Sequence, residues 1–144
     1  ITAEDIENNV GISRQYSIFE LTRELSSRNA SRALKIAAYI GNAPKFVLLQ
    51  ATAPLFNHFY RILRYEALIM KKPGAGTAEK AAALGVNPYF LREYDTAVAF
   101  YPPQKCLSVI SMIKEYDFKG KGGNAGEATQ AGLLLELVAR ILNC

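Results

Sequence analysis

The sequence predicts an all-α protein, a bundle of about seven to eight helices. Apolar residues recur three and four positions apart along most of the chain, which is the period of helices buried on one face. Capping residues and glycine or proline stops divide this pattern into segments of helical length. Half of the 144 residues are hydrophobic, so a single domain of this size can bury a substantial core.

The first two helices are predicted from their caps. Residues 2–5 form a Thr-x-x-Asp capping box, and the short helix that they open is expected to end at Gly11. Residues 17–20 repeat the signal as Ser-x-x-Glu and open a second helix. Its apolar residues lie at helical spacing: Ile18, Phe19, Leu21 and Leu25.

A third helix begins after a cap at Asn29 or Ser31 and ends at Gly41. Five of its residues are predicted to face the core: Ala33, Leu34, Ala37, Ala38 and Ile40. Pro44 suits the first turn of a long helix over residues 45–72. This long helix contains a proline, Pro54, which is expected to kink it.

Four more helices complete the prediction. Thr77 caps a short alanine-rich helix that ends at Gly85, and Asn87-Pro88 opens a helix over residues 89–100. A pair of prolines precedes the next helix, which runs to about Phe118. The last helix covers about residues 127–142 and has a broad apolar face: Leu133, Leu134, Leu137, Val138 and Ile141.

Composition argues against several classes of protein. The two cysteines, Cys106 and Cys144, are too few for a disulfide framework and lack zinc-ligand spacing, so we expect a reducing, cytoplasmic setting. Polar residues and a proline interrupt the longest uncharged run, residues 46–60, which argues against a membrane span. The chain begins with Ile1 rather than Met, and we expect it to be a fragment of a longer protein. A net charge of +4 is compatible with a polyanionic partner such as nucleic acid.

The sequence contains no recognisable catalytic, cofactor or metal site. His58 is the only histidine, and it stands among aromatic residues, which predicts a core-edge or interface position. Cys106 lies within a predicted helix and is expected to fill space as a small apolar residue. No histidine pairs with a serine or cysteine in a pattern that indicates a nucleophile. We therefore predict no enzyme activity for this fragment.

A lysine–glycine loop, residues 119–124, separates the last two predicted helices. It does not fit a Walker A motif, because most of the glycines follow Lys121 and the residue directly after Lys121 is not Ser or Thr. Lys119, Lys121 and Asn124 are candidate contacts to a DNA backbone, since lysines near the start of a helix can bind phosphate. The alternative, which we favour, is a simple connector whose glycines form the turn.

Two predicted helices combine aromatic residues with arginine, which is the composition of protein interface centres. An aromatic core with arginines at its edge would account for about half of them. The candidate subunit-interface residues are Tyr60, Arg61, Arg64, Tyr65, Tyr89, Phe90, Arg92 and Tyr94.

Five segments, in order, resemble the C-terminal part of the delta subunit of bacterial DNA polymerase III: residues 16–21, 32–36, 87–91, 115–121 and 135–137. The resemblance implies that residues 1–11 are the tail of an AAA+ lid domain and residues 12–144 a helical collar domain. Asp117 and Lys121 resemble an acidic-then-lysine element before the family's last helix. Pro54 departs from the family, in which that helix is expected to be continuous.

In that family the delta subunit belongs to the clamp loader, a ring of five AAA+ subunits that opens the sliding clamp and places it on primed DNA. The collar domain holds the subunits together, and delta has no working ATPase site. The resemblance implies delta-prime and tau/gamma subunits as partners, the sliding clamp only through an N-terminal domain outside this fragment, and no cofactor. Primed DNA is a further partner to consider.

Two alternatives stay open. The chain could be the collar of a sibling subunit, delta-prime or tau/gamma, since these have similar architecture. It could also be a stand-alone helical module that binds nucleic acid through Lys71, Lys72, Lys119 and Lys121.

Overall fold

The computed structural model describes residues 10–122 and 128–144, and within them it has seven α-helices, one 3-10 turn and no strand, which confirms the all-α prediction. The elements are α1 Val10–Ser26, α2 Ala30–Gly41, α3 Leu49–Lys71, α4 Thr77–Leu84, the 3-10 turn Pro88–Phe90, α5 Leu91–Phe100, α6 Pro103–Gly120 and α7 Gln130–Leu142. None of these helices has the length and apolarity needed to cross a bilayer.

Helix α3 is the centre of the bundle and packs against α1, α4, α5 and α6. It runs antiparallel to α6, because Thr52 at its start bonds Asp117 near the end of α6, and Glu66 bonds Cys106 near the beginning. Helix α7 packs on α2 and α6, and α2 packs on α1. The bundle therefore encloses one continuous core.

The predicted apolar face of α7 is confirmed, since all five of its residues are buried. Two other residues that the spacing placed on apolar faces are exposed instead: Phe19 in α1 and Leu34 in α2. Ala38 is only half-buried. Apolar spacing identifies a helix face, but the neighbouring helices decide how wide a stripe they cover.

Helix α1 is one continuous helix from Val10 to Ser26, so the predicted stop at Gly11 and new start at Ser17 are wrong. A glycine inside a helix costs about 1 kcal/mol, which packing of the rest of the helix can offset. The predicted capping box at residues 2–5 lies outside the described residues.

Helix α3 begins at Leu49, five residues after the predicted start at Pro44. Residues 43–48 form turns instead, and the backbone of Lys45 is left-handed, with φ of 60°. Phe46 and Leu48 are buried and anchor this segment in the core. Pro54 lies in the second turn of α3, and the helix continues across it to Lys71.

Most predicted boundaries fall within three residues of the observed ones. The side chain of Asn29 caps α2, and that of Asn87 accepts a bond from the backbone N–H of Tyr89 at 2.9 Å. Gly85 ends α4 in the left-handed conformation that glycine favours, with φ of 70°. The predicted helix over residues 89–100 is a 3-10 turn followed by α5. Helix α7 starts at Gln130, later than predicted, after a Thr129 cap.

Candidate subunit interface and lysine–glycine loop

Two of the candidate interface residues belong to the core. Tyr65 is 0% exposed and Tyr94 is 4% exposed, and their rings meet edge to face with centroids 6.5 Å apart. The hydroxyl of Tyr65 donates a hydrogen bond to Asp95. Because neither ring is accessible, both residues are removed from the candidate surface.

The 3-10 turn places Tyr89 and Phe90 in solvent, and the first turn of α5 does the same for Arg92. Tyr89 is 83% exposed, and its ring lies edge-on to that of Phe90 at 5.3 Å. The Asn87 cap and the fixed φ of Pro88 hold this turn in place. The pair is therefore an exposed aromatic projection on a capped turn.

Tyr60 and Arg64 are exposed one turn apart on α3, and the Arg64 guanidinium lies 5.9 Å from the centre of the Tyr60 ring. Arg64 also donates a hydrogen bond of 2.6 Å to the carbonyl of Ala83 in α4. Arg61 is half-buried and lies beside Tyr94 and His58. Arg64 is thus fixed by its neighbours before any partner binds.

His58 lies inside the core and is 4% exposed. Its Nε2 is 2.6 Å from the hydroxyl of Ser26, which itself donates to the carbonyl of Thr22 at 2.8 Å. Burial, with a smaller contribution from the charge of Arg61, lowers the pKa of His58 from 6.5 to about 3. The imidazole is therefore neutral at physiological pH and joins α3 to α1.

Cys106 is completely buried, as predicted, and its thiol contacts two oxygen atoms: Glu66 Oε1 at 3.4 Å and the carbonyl of Tyr101 at 3.3 Å. Burial raises the pKa of this thiol, and the nearby Glu66 carboxyl raises it further. Burial also raises the pKa of Glu66. A thiol in this state is a poor nucleophile.

The lysines at the start of the lysine–glycine loop already have partners within the chain. The ammonium of Lys119 lies over the Tyr116 ring, 4.6 Å from its centre. Lys121 forms an ion pair of 2.9 Å with Asp117, which also accepts a hydrogen bond of 3.1 Å from Thr52. Asn124 lies outside the described residues. These contacts fit a connector better than a free phosphate site.

Gln130 fastens the two ends of this connection to the rest of the bundle. Its Oε1 accepts a hydrogen bond of 2.7 Å from the backbone N–H of Leu48, and its Nε2 donates one of 3.1 Å to the carbonyl of Gly120. A Cβ on Gly120 would stand 3.0 Å from the side chain of Leu48, so glycine permits this close approach. One side chain thereby joins α6, α7 and the turn before α3.

Replacing Gln130 by alanine is expected to lower the free energy of unfolding by about 1–3 kcal/mol, because it leaves two partly buried backbone groups without their partners. Chemical denaturation monitored by circular dichroism measures the change. Gln50→Ala, at an exposed position close by in α3, is the control and should change stability by less than about 0.5 kcal/mol. Equal effects of the two substitutions would contradict the role given to Gln130.

No group of three or more metal-ligating side chains occurs in residues 10–122 and 128–144. Two open grooves are present in this part of the chain. One, of about 280 Å³, lies between α1 and α2 beside Arg32 and Tyr39. The other, of about 560 Å³, lies between α6 and α7 beside Met112 and Arg140. Neither encloses a ligand-sized cavity.

No family model matches the sequence, and no curated protein matches it. Among solved structures, the Bacillus subtilis DNA clamp loader delta protein matches the whole of this chain, with a TM-score of 0.68 and 24% sequence identity. The fold is that of part of a clamp loader delta protein. The chain spans 41% of the length of that protein. The resemblance seen in the sequence is thus confirmed at the level of the fold.

Two residues whose contacts support this fold were not predicted from the sequence, Gln130 and Arg28. Gln130 gives no local signal, because both of its bonds reach residues distant along the chain. Arg28 ends α1 in the left-handed conformation, with φ of 56°, and its guanidinium donates to the carbonyls of Ile141 and Leu142. An arginine after a helix indicates a capping role at most, and the sequence does not show which distant helix it reaches.

Proposed function

We propose that this chain is the C-terminal collar domain of the delta subunit of a bacterial DNA polymerase III clamp loader. The observation that carries the proposal is the fold likeness over all 144 residues to a clamp loader delta protein of more than twice the length. The five ordered sequence segments support it independently. In this assignment residues 12–144 are the collar and residues 1–11 the tail of the AAA+ lid domain.

The proposed role is assembly and not catalysis. The one histidine is buried and bonded to Ser26, so it is not placed to exchange a proton with a substrate. Cys106 is buried, with its pKa raised, and is unsuited to nucleophilic attack. In this proposal the chemistry of clamp loading belongs to other domains and subunits.

The partners in this proposal are the neighbouring loader subunits, delta-prime and tau/gamma. Exposed Tyr, Phe and Arg side chains support such contacts, because these residue types supply much of the binding energy of protein interfaces. Five of the candidates are exposed: Tyr60, Arg64, Tyr89, Phe90 and Arg92. Arg61 contributes at the edge, since it is half-buried. The sliding clamp would be reached only through an N-terminal domain.

The nucleic-acid alternative has weaker support. Of its four lysines, Lys72 pairs with Glu79 at 3.3 Å, Lys121 pairs with Asp117, and Lys119 lies over an aromatic ring. Binding of phosphate to Lys121 or Lys72 would have to compete with these carboxylates. The collar fold is common to delta, delta-prime and tau/gamma. The sequence upstream of this chain would distinguish delta from the other two.

Size-exclusion chromatography tests the proposal. The purified chain is expected to elute together with the purified delta-prime and tau/gamma subunits of the same organism. The double variant Tyr89→Ser, Phe90→Ser should weaken this association about tenfold or more, because it removes an exposed aromatic pair. The control Tyr39→Ser removes an exposed tyrosine from α2 and should bind normally.

Separate elution of the chain from all loader subunits would contradict the proposal. The nucleic-acid alternative would be favoured instead if the chain binds duplex DNA and the binding constant falls steeply with salt. The expected slope of the logarithm of that constant against the logarithm of the salt concentration is about −0.9 per neutralised phosphate.

A further inference from the structure

An apolar row runs along α3 beside its core-facing side, and the exposed polar residues Asn57, Arg64 and Lys71 lie next to it. Seven apolar residues recur at steps of four and three: Leu49, Ala53, Phe56, Tyr60, Leu63, Ala67 and Met70. Met70 is 78% exposed and Tyr60 47% exposed, while Phe56 and Leu63 are half-buried. The core-facing residues form a separate set on the adjoining side: Ala51, Thr52, Leu55, His58, Phe59, Ile62, Tyr65 and Glu66. Phe56 and Leu63 pack against the core at the boundary between the two sets. Helix α3 therefore has two apolar rows, one buried and one partly exposed.

Helix α6 extends this surface beside α3. Leu107, Lys114 and Phe118 lie on one face of α6, since steps of seven and four residues return to the same side of a helix. The ammonium of Lys114 is 6.0 Å from the centre of the Phe56 ring, which places this face next to the outer row of α3. Leu107 is 53% exposed and Phe118 is 63% exposed.

We use the name α3–α6 seam for the surface formed by Phe56, Tyr60, Leu63 and Phe118, with Leu107 at its edge, where this side chain also lines the groove between α6 and α7. Surface helices normally carry polar residues on the solvent side, so a continuous apolar row indicates that something else covers it. Steps of four and three average 3.5 residues, which is the repeat by which one helix packs against another. The row runs for about 30 Å at 1.5 Å per residue, enough for several turns of a partner helix.

The charges around the seam identify the kind of helix. Lys114 lies on the α6 side of the row, and Arg64 and Lys71 lie along its other edge, where the Arg64 guanidinium is 5.9 Å from the centre of the Tyr60 ring. The three carboxylates of α3 and α6 are engaged elsewhere. They are Glu66, which bonds Cys106, Glu115, which pairs with Arg140 at 2.6 Å, and Asp117, which pairs with Lys121 at 2.9 Å. The border of the seam is therefore basic.

We propose that the α3–α6 seam receives an amphipathic helix of a neighbouring loader subunit, with apolar residues at the same 3.5-residue repeat and Asp or Glu on its flanks. This inference rests on the proposed function for the identity of the neighbour. A second copy of this chain is disfavoured, because it would bring Lys114, Arg64 and Lys71 against their own counterparts. The seam is distinct from the exposed pair at Tyr89 and Phe90.

The test uses the complex with delta-prime and tau/gamma. Tyr60→Ser and Leu107→Ser are each expected to weaken binding about tenfold or more, since each removes a large apolar contact. Lys114→Glu should weaken it as well, and added salt should reduce the difference between this variant and the unmodified chain. The matched controls are Tyr39→Ser and Lys35→Glu, which make the same changes at exposed positions of α2 and should bind normally.

A photo-crosslinking amino acid at position 60 or 107 identifies the occupant. The expected crosslinks fall on a single helix of a neighbouring subunit that has more acidic than basic residues beside its apolar row. Position 39 serves as the control and should give no crosslink to that helix. Circular dichroism of each seam variant confirms that it is folded before binding is measured.

The outcomes separate the two proposals. If the unmodified chain forms no complex, the proposed function fails, and this inference fails with it. If the complex forms and the seam variants bind as tightly as the controls, only this inference fails. Crosslinks to a second copy of the chain, or to DNA added to the complex, would also overturn it.

Discussion

Replacement of Phe59 by alanine is expected to lower the free energy of unfolding by about 3–5 kcal/mol. Phe59 is completely buried, and its ring packs edge-on against Tyr101 with centroids 5.0 Å apart. It also meets the His58 ring edge-on at 5.5 Å. Truncation to alanine removes this apolar contact and leaves a cavity in the middle of α3, where neighbouring helices cannot close it without moving.

Equilibrium denaturation in urea, followed by circular dichroism, measures this loss. The matched control is Tyr60→Ala, the next residue of the same helix, whose side chain is about half exposed and should contribute much less to stability than Phe59. A cost at Tyr60 as large as that at Phe59 would show that the outer face of α3 is packed in the isolated chain. That result would contradict the description of α3 as a helix with one buried and one partly exposed apolar row.

The free energy of unfolding is expected to fall as the pH falls from 6.5 towards 3, because His58 is neutral in the folded chain. Burial and, to a lesser degree, the charge of Arg61 lower its pKa from 6.5 to about 3. In this interval the unfolded chain binds a proton at His58 and the folded chain does not, so protonation favours unfolding. The loss from this group approaches about 1.4 kcal/mol for each pH unit. Above pH 6.5 the stabilisation is complete.

His58→Gln isolates this effect, since it removes the titrating group and can still bond Ser26. Denaturation curves from pH 7 to pH 4 should show a stability difference between the two proteins that shrinks or reverses as the pH falls. The comparison is needed because burial raises the pKa of Glu93 from 4.5 to about 7, against an opposing effect of Arg23. Protonation of Glu93 therefore favours the folded chain as the pH falls from about 7 to 4.5, which overlaps the interval of His58. Parallel curves for the two proteins would contradict the role of His58.

The helices themselves were largely predictable, because their signals act within a few residues. Asn29, one of the two residues proposed as the cap of α2, caps that helix, Asn87 caps the 3-10 turn, and Gly85 ends α4 as expected. Gly11 shows the limit of such signals, since a glycine that often ends a helix lies inside α1. Glycine is only a frequent helix terminator, and packing of the rest of α1 outweighs the loss of helix stability that a glycine inside the helix causes.

The outer row of α3 was also present in the sequence as steps of four and three, but it was not separable from the core-facing row. Both rows consist of apolar residues, and the spacing alone does not say which of them other helices cover. The apolar face of α7 was predicted correctly for the opposite reason, because it is the single apolar face of its segment.

The sequence by itself determined the helical class, most of the caps, and the aromatic and arginine residues from which an interface could be made. Only the tertiary structure decided that Tyr65 and Tyr94 are core residues, whereas Tyr89 and Phe90 are exposed. It also decided that Asp117 neutralises Lys121. The reason is physical: capping acts between residues up to four positions apart, but exposure and ion pairing depend on which distant helices lie alongside.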